Sequence, residues 1–197
     1  DTVSVSNKIE SESCNNNRIE KWDELPIEET LLRGIYAYGF DEPSEIQKKA
    51  ILPVIEKRDV IAQAQSGCGK TGSFSIAALQ RLDMTKKTPQ VLILSPTHEL
   101  VNQTADVVEG LGNFMENLQV KTLIGGTSIR DDVQFLEEKA PQIVVGTVGR
   151  VLDMIEKRHL DVRDLSLLIL DEADEMLSHG SSDKLKYMFQ YHFPTSM

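Results

Sequence analysis

The sequence predicts an α/β fold: a parallel β-sheet with helices on both faces. Three observations carry this. Short apolar runs at Val60–Ala64, Val91–Leu94, Val120–Ile124, Ile143–Val145 and Leu165–Leu170 alternate with longer segments of helical period. That alternation implies right-handed βαβ units in one three-layer arrangement. The runs VLIL and LLIL are continuously apolar, as strands covered on both faces are. At 197 residues, 40% hydrophobic and 26% charged, the chain can bury a sizeable core and is too apolar for a disordered one.

In chain order, residues 1–20 are rich in Ser, Asn and Glu. They are expected to form a mobile acidic leader, least structured at Asn15–Asn17. Residues 21–197 are expected to form the ordered domain, opening at Trp22. Pro26 to Tyr38 reads as a helix with Leu31, Leu32 and Ile35 on one face. Ser44 caps a second helix whose stripe is Ile46, Ala50, Ile51 and Ile55. Further helices are expected over Lys70–Leu82, Thr97 to about Phe114, Ile129–Lys139, Gly149–Lys157 and from about Ala173. No internal repeat is present.

The net charge is −10, half of it within the first 30 residues. This excludes a globally basic nucleic-acid binder but not a local basic face. No apolar run approaches the ~20 residues that span a bilayer. The first 20 residues lack an apolar core, so no secretory signal is expected. Cys14 and Cys68 are far apart, without a CxxC or paired-His spacing. That argues against a disulfide framework or structural zinc and fits a reducing compartment, cytoplasmic or nuclear, with cytoplasmic preferred.

Ligands of parallel sheets sit beyond the carboxyl ends of the strands. After the first apolar run comes Ala64-Gln65-Ser66-Gly67-Cys68-Gly69-Lys70-Thr71. Glycines let backbone N–H groups turn toward phosphate oxygens, and the helix that follows adds its positive end. Lys70 can reach terminal phosphates and Thr71 offers a hydroxyl to magnesium. The usual first glycine of such a loop is Ala64 here. Gly67 to Gly72 also satisfies the GxGxxG dinucleotide pattern. That reading needs an acid at the end of the second strand, where Ser95-Pro96 stand, and has no use for the Lys-Thr pair. The last apolar run ends in Asp171-Glu172-Ala173-Asp174. An acid at a strand end is the usual second half of a phosphate-binding site, with Asp171 holding magnesium. Glu172 can accept the proton of an attacking water.

Gly39-Phe40 and Pro43-Ser44-Glu45-Ile46-Gln47 precede the glycine loop. Taken together, the Phe-x-x-Pro-Ser-x-Ile-Gln element, the AxxGxGKT loop and the literal DEAD resemble the first RecA-like domain of DEAD-box RNA helicases. Leu31–Phe40 and Asp171–Ser178 are similar to the translation initiation factor 4A group of that family. The resemblance runs from about Trp22 to the chain's end and implies a P-loop, RecA-like parallel sheet. It implies that Gln47 reads the adenine edge, Phe40 stacks on the ring, and residues 64–71 hold ATP with Mg2+. It implies that Lys70, Asp171 and Glu172 serve turnover. It further implies that Pro96, Thr97, Glu99, Gly125, Gly126, Thr147, Gly149 and Arg150 bind RNA, through hydroxyls, glycine N–H groups, helix N-termini and one guanidinium. Three departures fall on the RNA side. His98 replaces an Arg, Val148 a Pro, and His179 with Ser181 an Arg and a Phe. They remove charge, a rigid turn and a packing group. Cys68 replaces a Thr in a loop that works through its backbone.

The implied function is ATP-dependent unwinding or remodelling of single-stranded RNA, in translation initiation and with a scaffold protein as partner. A nucleotide-gated RNA clamp without useful unwinding is the alternative. A GTPase ranks last, because no Asn-Lys-x-Asp motif is present. The family's Ser-Ala-Thr strand and second RecA-like domain are not found before Met197. The chain is therefore expected to be a fragment, incomplete at its C-terminus and inactive alone. His98, His159, His179 and His192 show no metal-ligand spacing.

Overall fold

The computed structural model describes residues 2–6, 20–64, 67, 69–178 and 180–194. Its elements are β1 (Thr2–Ser6), α1 (Glu29–Ala37), α2 (Glu45–Ile55), β2 (Asp59–Gln63), α3 (Lys70–Gln80), β3 (Val91–Leu94), α4 (His98–Leu111), β4 (Val120–Leu123), α5 (Ile129–Lys139), β5 (Ile143–Gly146), α6 (Val148–Glu156), β6 (Leu167–Leu170), α7 (Ala173–Ser178) and α8 (Ser182–Tyr191). A single 3-10 turn covers Trp22–Glu24. The strands fall into two sheets and the chain into two compact units.

The first unit is Asp1–Arg81 with Val107–Glu116. Helix α1 buries Leu31 and Ile35 completely. It stops in a glycine motif: Phe40 N–H donates to Ile35 O and Gly39 N–H to Tyr36 O, with Gly39 at φ 95°. Only glycine adopts that conformation without strain. Gly34 matters for packing, since a Cβ there would lie 1.8 Å from the carbonyl oxygen of Leu111. Helix α2 opens with a capping box, Ser44 and Gln47 each satisfying the other's backbone N–H.

In the same unit β1 pairs in parallel with β2, Thr2 against Asp59 through Ser6 against Gln63. The mobile-leader expectation is thus corrected for these five residues. TVSVS alternates β-branched residues with Ser, a pattern that favours a strand once an edge is available. Asn15–Asn17 and Cys14 lie outside the described residues.

The second unit is Leu82–Asp106 with Asn117–Met197. Its sheet has the order β4-β5-β3-β6, all parallel, flanked by helices. The α/β prediction therefore holds. The central strands β3 and β5 are buried throughout, and their core includes Leu92, Leu94, Val144, Val151, Met154 and Met188. Strand β6 is only half-buried. The sequence placed LLIL with VLIL as a doubly covered strand, but β6 is an edge of this sheet. Register pairs Leu94 with both Gly146 and Leu170, and Leu123 with Gly146. The four carboxyl ends are therefore level.

Several boundaries differ from the sequence reading. The first helix starts at Glu29, because Glu28 is extended at ψ 143°. Helix α4 ends at Leu111 rather than near Phe114, where Met115 N–H turns back to Gly112 O. Strand β6 starts at Leu167 because Leu165 closes a turn on Val162 O.

Candidate functional site

In the first unit, Gly39, Phe40, Asp41, Glu42, Ser44, Gln47, Gly67 and Gly69 line an open cavity of about 440 Å³. The sequence builds it from three pieces: the end of α1, the start of α2 and the glycine turn before α3. Gly67 and Gly69 stand at φ 83° and 86°, so both turn residues use the left-handed region. Gly69 is the N-cap of α3, and Lys70 and Thr71 form that helix's first turn. The arrangement aims a positive helix end at the turn. Ser73 donates its hydroxyl back to Gly69 O at 2.9 Å. Gln65, Ser66 and Cys68 lie outside the described residues, and Ala64 is half-buried beside Ile46 and Ala50.

Gln47 meets this turn at Gly69, and both Phe40 and Gln47 pack against Gly72 just after it. A Cβ at Gly72 would lie 2.8 Å from the Phe40 ring and 2.9 Å from Gln47 Nε2. Gln47 is buried at 4% exposure. Its Oε1 accepts from Ser44 N–H at 2.7 Å, and its Nε2 is 3.5 Å from Gly69 O. One amide thus caps α2 and reaches the glycine turn.

Two residues that sequence reasoning missed hold Phe40. Trp22, fully buried, donates its indole N–H to Phe40 O at 2.8 Å. Tyr38 meets the Phe40 ring edge-on at 5.2 Å. Trp22 is the only tryptophan and falls just ahead of an aromatic cluster, which is the signal that could have found it. Next to it Asp23 accepts the Tyr36 hydroxyl at 2.6 Å, and that bond raises the phenol's pKa.

In the second unit the level strand ends set out the remaining motifs along one edge. Ser95 N–H donates to Gly146 O, Thr147 N–H to Leu123 O, and Asp171 N–H to Leu94 O. The loops after β3, β5 and β6 are fixed there. Thr97 accepts Leu100 N–H at 3.2 Å and starts α4; Thr97 and Glu99 are exposed and Pro96 is half-buried. His98 approaches Gly125, where a Cβ would be 3.6 Å from its Nε2. Gly125, Gly126 and Gly149 are exposed and Thr147 half-buried. Lys184 of α8, which the sequence reading did not single out, comes 3.7 Å from where a Gly149 Cβ would be.

Arg150 departs from its companions. It is 8% exposed, with its guanidinium turned onto the carbonyls of the 124–127 loop rather than outward. The sequence reading set it among the RNA-binding residues; here its hydrogen bonds go to the loop that carries Gly125 and Gly126.

Asp171 is buried at 8% exposure, and Glu172 stands at φ 50°. A non-glycine residue in that region carries strain that the surroundings must hold. Met176 N–H donates to Glu172 O and opens α7. A groove of about 590 Å³ on α5, lined by Ile129, Arg130, Val133 and His159 among others, contains none of the motif residues.

Among curated proteins, the ATP-dependent RNA helicase eIF4A of Neurospora crassa is 51% identical over 179 residues, 91% of this chain and 45% of that protein. The eIF4A of Eremothecium gossypii is 52% identical over 195 residues, 98% of this chain and 49% of its own length. The chain thus spans about half the length of these relatives. Among solved structures, a DEAD box protein from Methanococcus jannaschii aligns with a TM-score of 0.84 at 34% identity, over 90% of this chain and 48% of that one. Saccharomyces cerevisiae Dbp5 bound to RNA and ADP BeF3 aligns at 0.80 and 34%, over 90% and 44%. The family model described as DEAD/DEAH box helicase matches residues 44–196. By that match and these identities, the chain belongs to the DEAD/DEAH box helicase family.

Proposed function

We propose that this chain is the ATP-binding part of an ATP-dependent RNA helicase of translation initiation, working in the cytoplasm with a scaffold protein. The observation that carries the reading is the cavity in which Phe40 and Gln47 flank the Gly67–Gly69 turn at the head of α3. An apolar ring and a side-chain amide are adenine's complement, and a glycine turn at a helix N-terminus is a triphosphate's.

In this reading Phe40 and Gln47 select the base. Backbone N–H groups of residues 64–71 and the Lys70 ammonium hold phosphates. Thr71 and Asp171 offer a hydroxyl and a carboxylate, the hard oxygens that suit Mg2+, which supplies charge neutralisation at the phosphates. Glu172 accepts the proton of the attacking water. Thr97, Gly125, Gly126, Thr147 and Gly149 meet the RNA backbone, with Pro96 and Glu99 shaping the first loop.

Strand release from a short fluorophore-labelled RNA duplex by the full-length protein tests the proposal. Release is expected with ATP and not with ADP or GTP. ATP-dependent retention of RNA without release would assign the protein to the clamps. ATP-independent behaviour would overturn the reading.

A further inference from the structure

We infer that Asp132 and Arg150 are positioning residues that together fix the shape of the Ile124–Thr127 loop, and that Arg150 acts through this loop rather than on an RNA phosphate. The inference rests on the proposed RNA-binding role of Gly125 and Gly126.

The geometry is that of a closed network. The Arg150 Nε–H donates to Ile124 O at 2.8 Å, and Nη2 donates to Thr127 O and to Thr127 Oγ1 at 3.0 Å. One guanidinium therefore ties both ends of a four-residue loop. The Thr127 hydroxyl lies 2.9 Å from Ile124 O and 3.3 Å from Asp132 Oδ2, with a single proton to give. Asp132 Oδ2 is 3.7 Å from Arg150 Nε, and Asp132 Oδ1 pairs with Lys121 Nζ at 2.7 Å. Lys121 is itself held over the Phe135 ring at 5.0 Å. Both charged partners are buried, the Arg150 side chain at 6% exposure and that of Asp132 at 5%.

Burial on this scale costs desolvation of two charges, which is recovered only when their hydrogen bonds are satisfied in place. A guanidinium committed to carbonyl oxygens in the interior is poorly placed to meet a phosphate in solvent. What it does present to solvent is the loop: Gly125 and Gly126 are exposed, with Gly126 at φ 84°. A loop without fixed backbone dihedrals would pay ordering entropy each time its N–H groups met a phosphate. Arg150 and Asp132 remove that cost in advance. The planar fork aims two separate nitrogens, Nε and Nη2, at Ile124 O and Thr127 O in a fixed geometry that the single nitrogen of a lysine does not reproduce.

Two signs separate positioning from direct contact. Asp132→Asn removes a negative charge near the RNA. It strengthens RNA binding if the cluster acts electrostatically and weakens it if the cluster acts by shape. Arg150→Lys keeps the charge and the buried ion pair but loses the fork. The test is fluorescence anisotropy of a labelled oligo(U) strand on the full-length protein, with a non-hydrolysable ATP analogue, across a KCl series. Both variants are expected to weaken RNA binding about tenfold or more, with the wild-type salt slope and unchanged analogue affinity. The analogue affinity and a thermal melt report folding, and Arg150→Lys serves if Asp132→Asn melts too early. The inference is overturned if Arg150→Lys keeps wild-type affinity, if Asp132→Asn binds RNA more tightly, or if Arg150→Gln lowers the salt slope by about 0.7, as loss of one single-strand phosphate contact would. If the wild-type protein binds no RNA, the proposed function fails first and the inference with it.

Discussion

The Trp22 indole N–H donates to the Phe40 carbonyl oxygen at 2.8 Å, and the two rings stack with centroids 6.5 Å apart. Phe40 is thereby held from behind, by a residue 18 positions upstream that never lines the cavity. Trp22→Phe keeps an aromatic filler and removes the donor. One hydrogen bond contributes about 1 kcal/mol to stability, so a loss of melting temperature is expected. ATP affinity is expected to fall by at most roughly fivefold, the limit at which all of that energy serves to hold Phe40 for the ligand. Competition against a fluorescent ATP analogue measures it, and unchanged affinity would show that Phe40 needs no such anchor.

Gln47 has two duties that substitution can separate. Gln47→Glu keeps an acceptor for Ser44 N–H and loses the amide donor that adenine recognition would use. It also sets a carboxylate oxygen against Gly69 O at a position only 4% exposed, so the melting temperature is expected to fall while ATP loses its advantage over GTP. Gln47→Ala loses both, with a destabilisation of about 1 kcal/mol from the broken cap. Parallel melts and ATP/GTP competition on the two variants check this.

Ala140 ends α5 at φ 46°, ψ 64°, in the left-handed region. Ala140→Gly relieves the Cβ strain there and is expected to stabilise the protein by about 0.5–1 kcal/mol. A urea titration reads this as a later midpoint at constant slope.

Gly34→Ala should act in the opposite direction. Its Cβ would fall 1.8 Å from Leu111 O, a backbone atom that cannot rotate away. A loss of about 3 kcal/mol is expected, at the upper end of overpacking costs. A wild-type melting curve would show that the two helices separate without penalty.

Much of this was legible in the sequence because it is local. The glycine loop, the capping Ser44 and the strand VLIL each declare themselves within a few residues. Phe40 and Gln47 were legible through the motif they share with the family. What was not legible depends on chain reversals. Arg150 looks like a phosphate ligand in Thr147-Val148-Gly149-Arg150, and only the β4–β5 pairing brings Ile124 and Thr127 beneath it. Asp132 is one acid among many on α5 until Lys121 arrives from the neighbouring strand. LLIL and VLIL are equivalent as strings, and only strand order makes one central and the other an edge. TVSVS became a strand because β2 offered it a partner, which composition could not foretell.

Glu172 tests the central claim most directly. It follows β6 at φ 50°, beside the buried Asp171, and the proposal makes it the base for water attack on ATP. Phosphate release by the full-length protein, with and without single-stranded RNA, is the measurement. RNA-stimulated release is expected from the wild type. Glu172→Gln is expected to fall to background while its ATP and RNA affinities stay within about twofold, because the amide keeps the shape and cannot take the proton. A Glu172→Gln protein that releases phosphate at the wild-type rate would contradict the account.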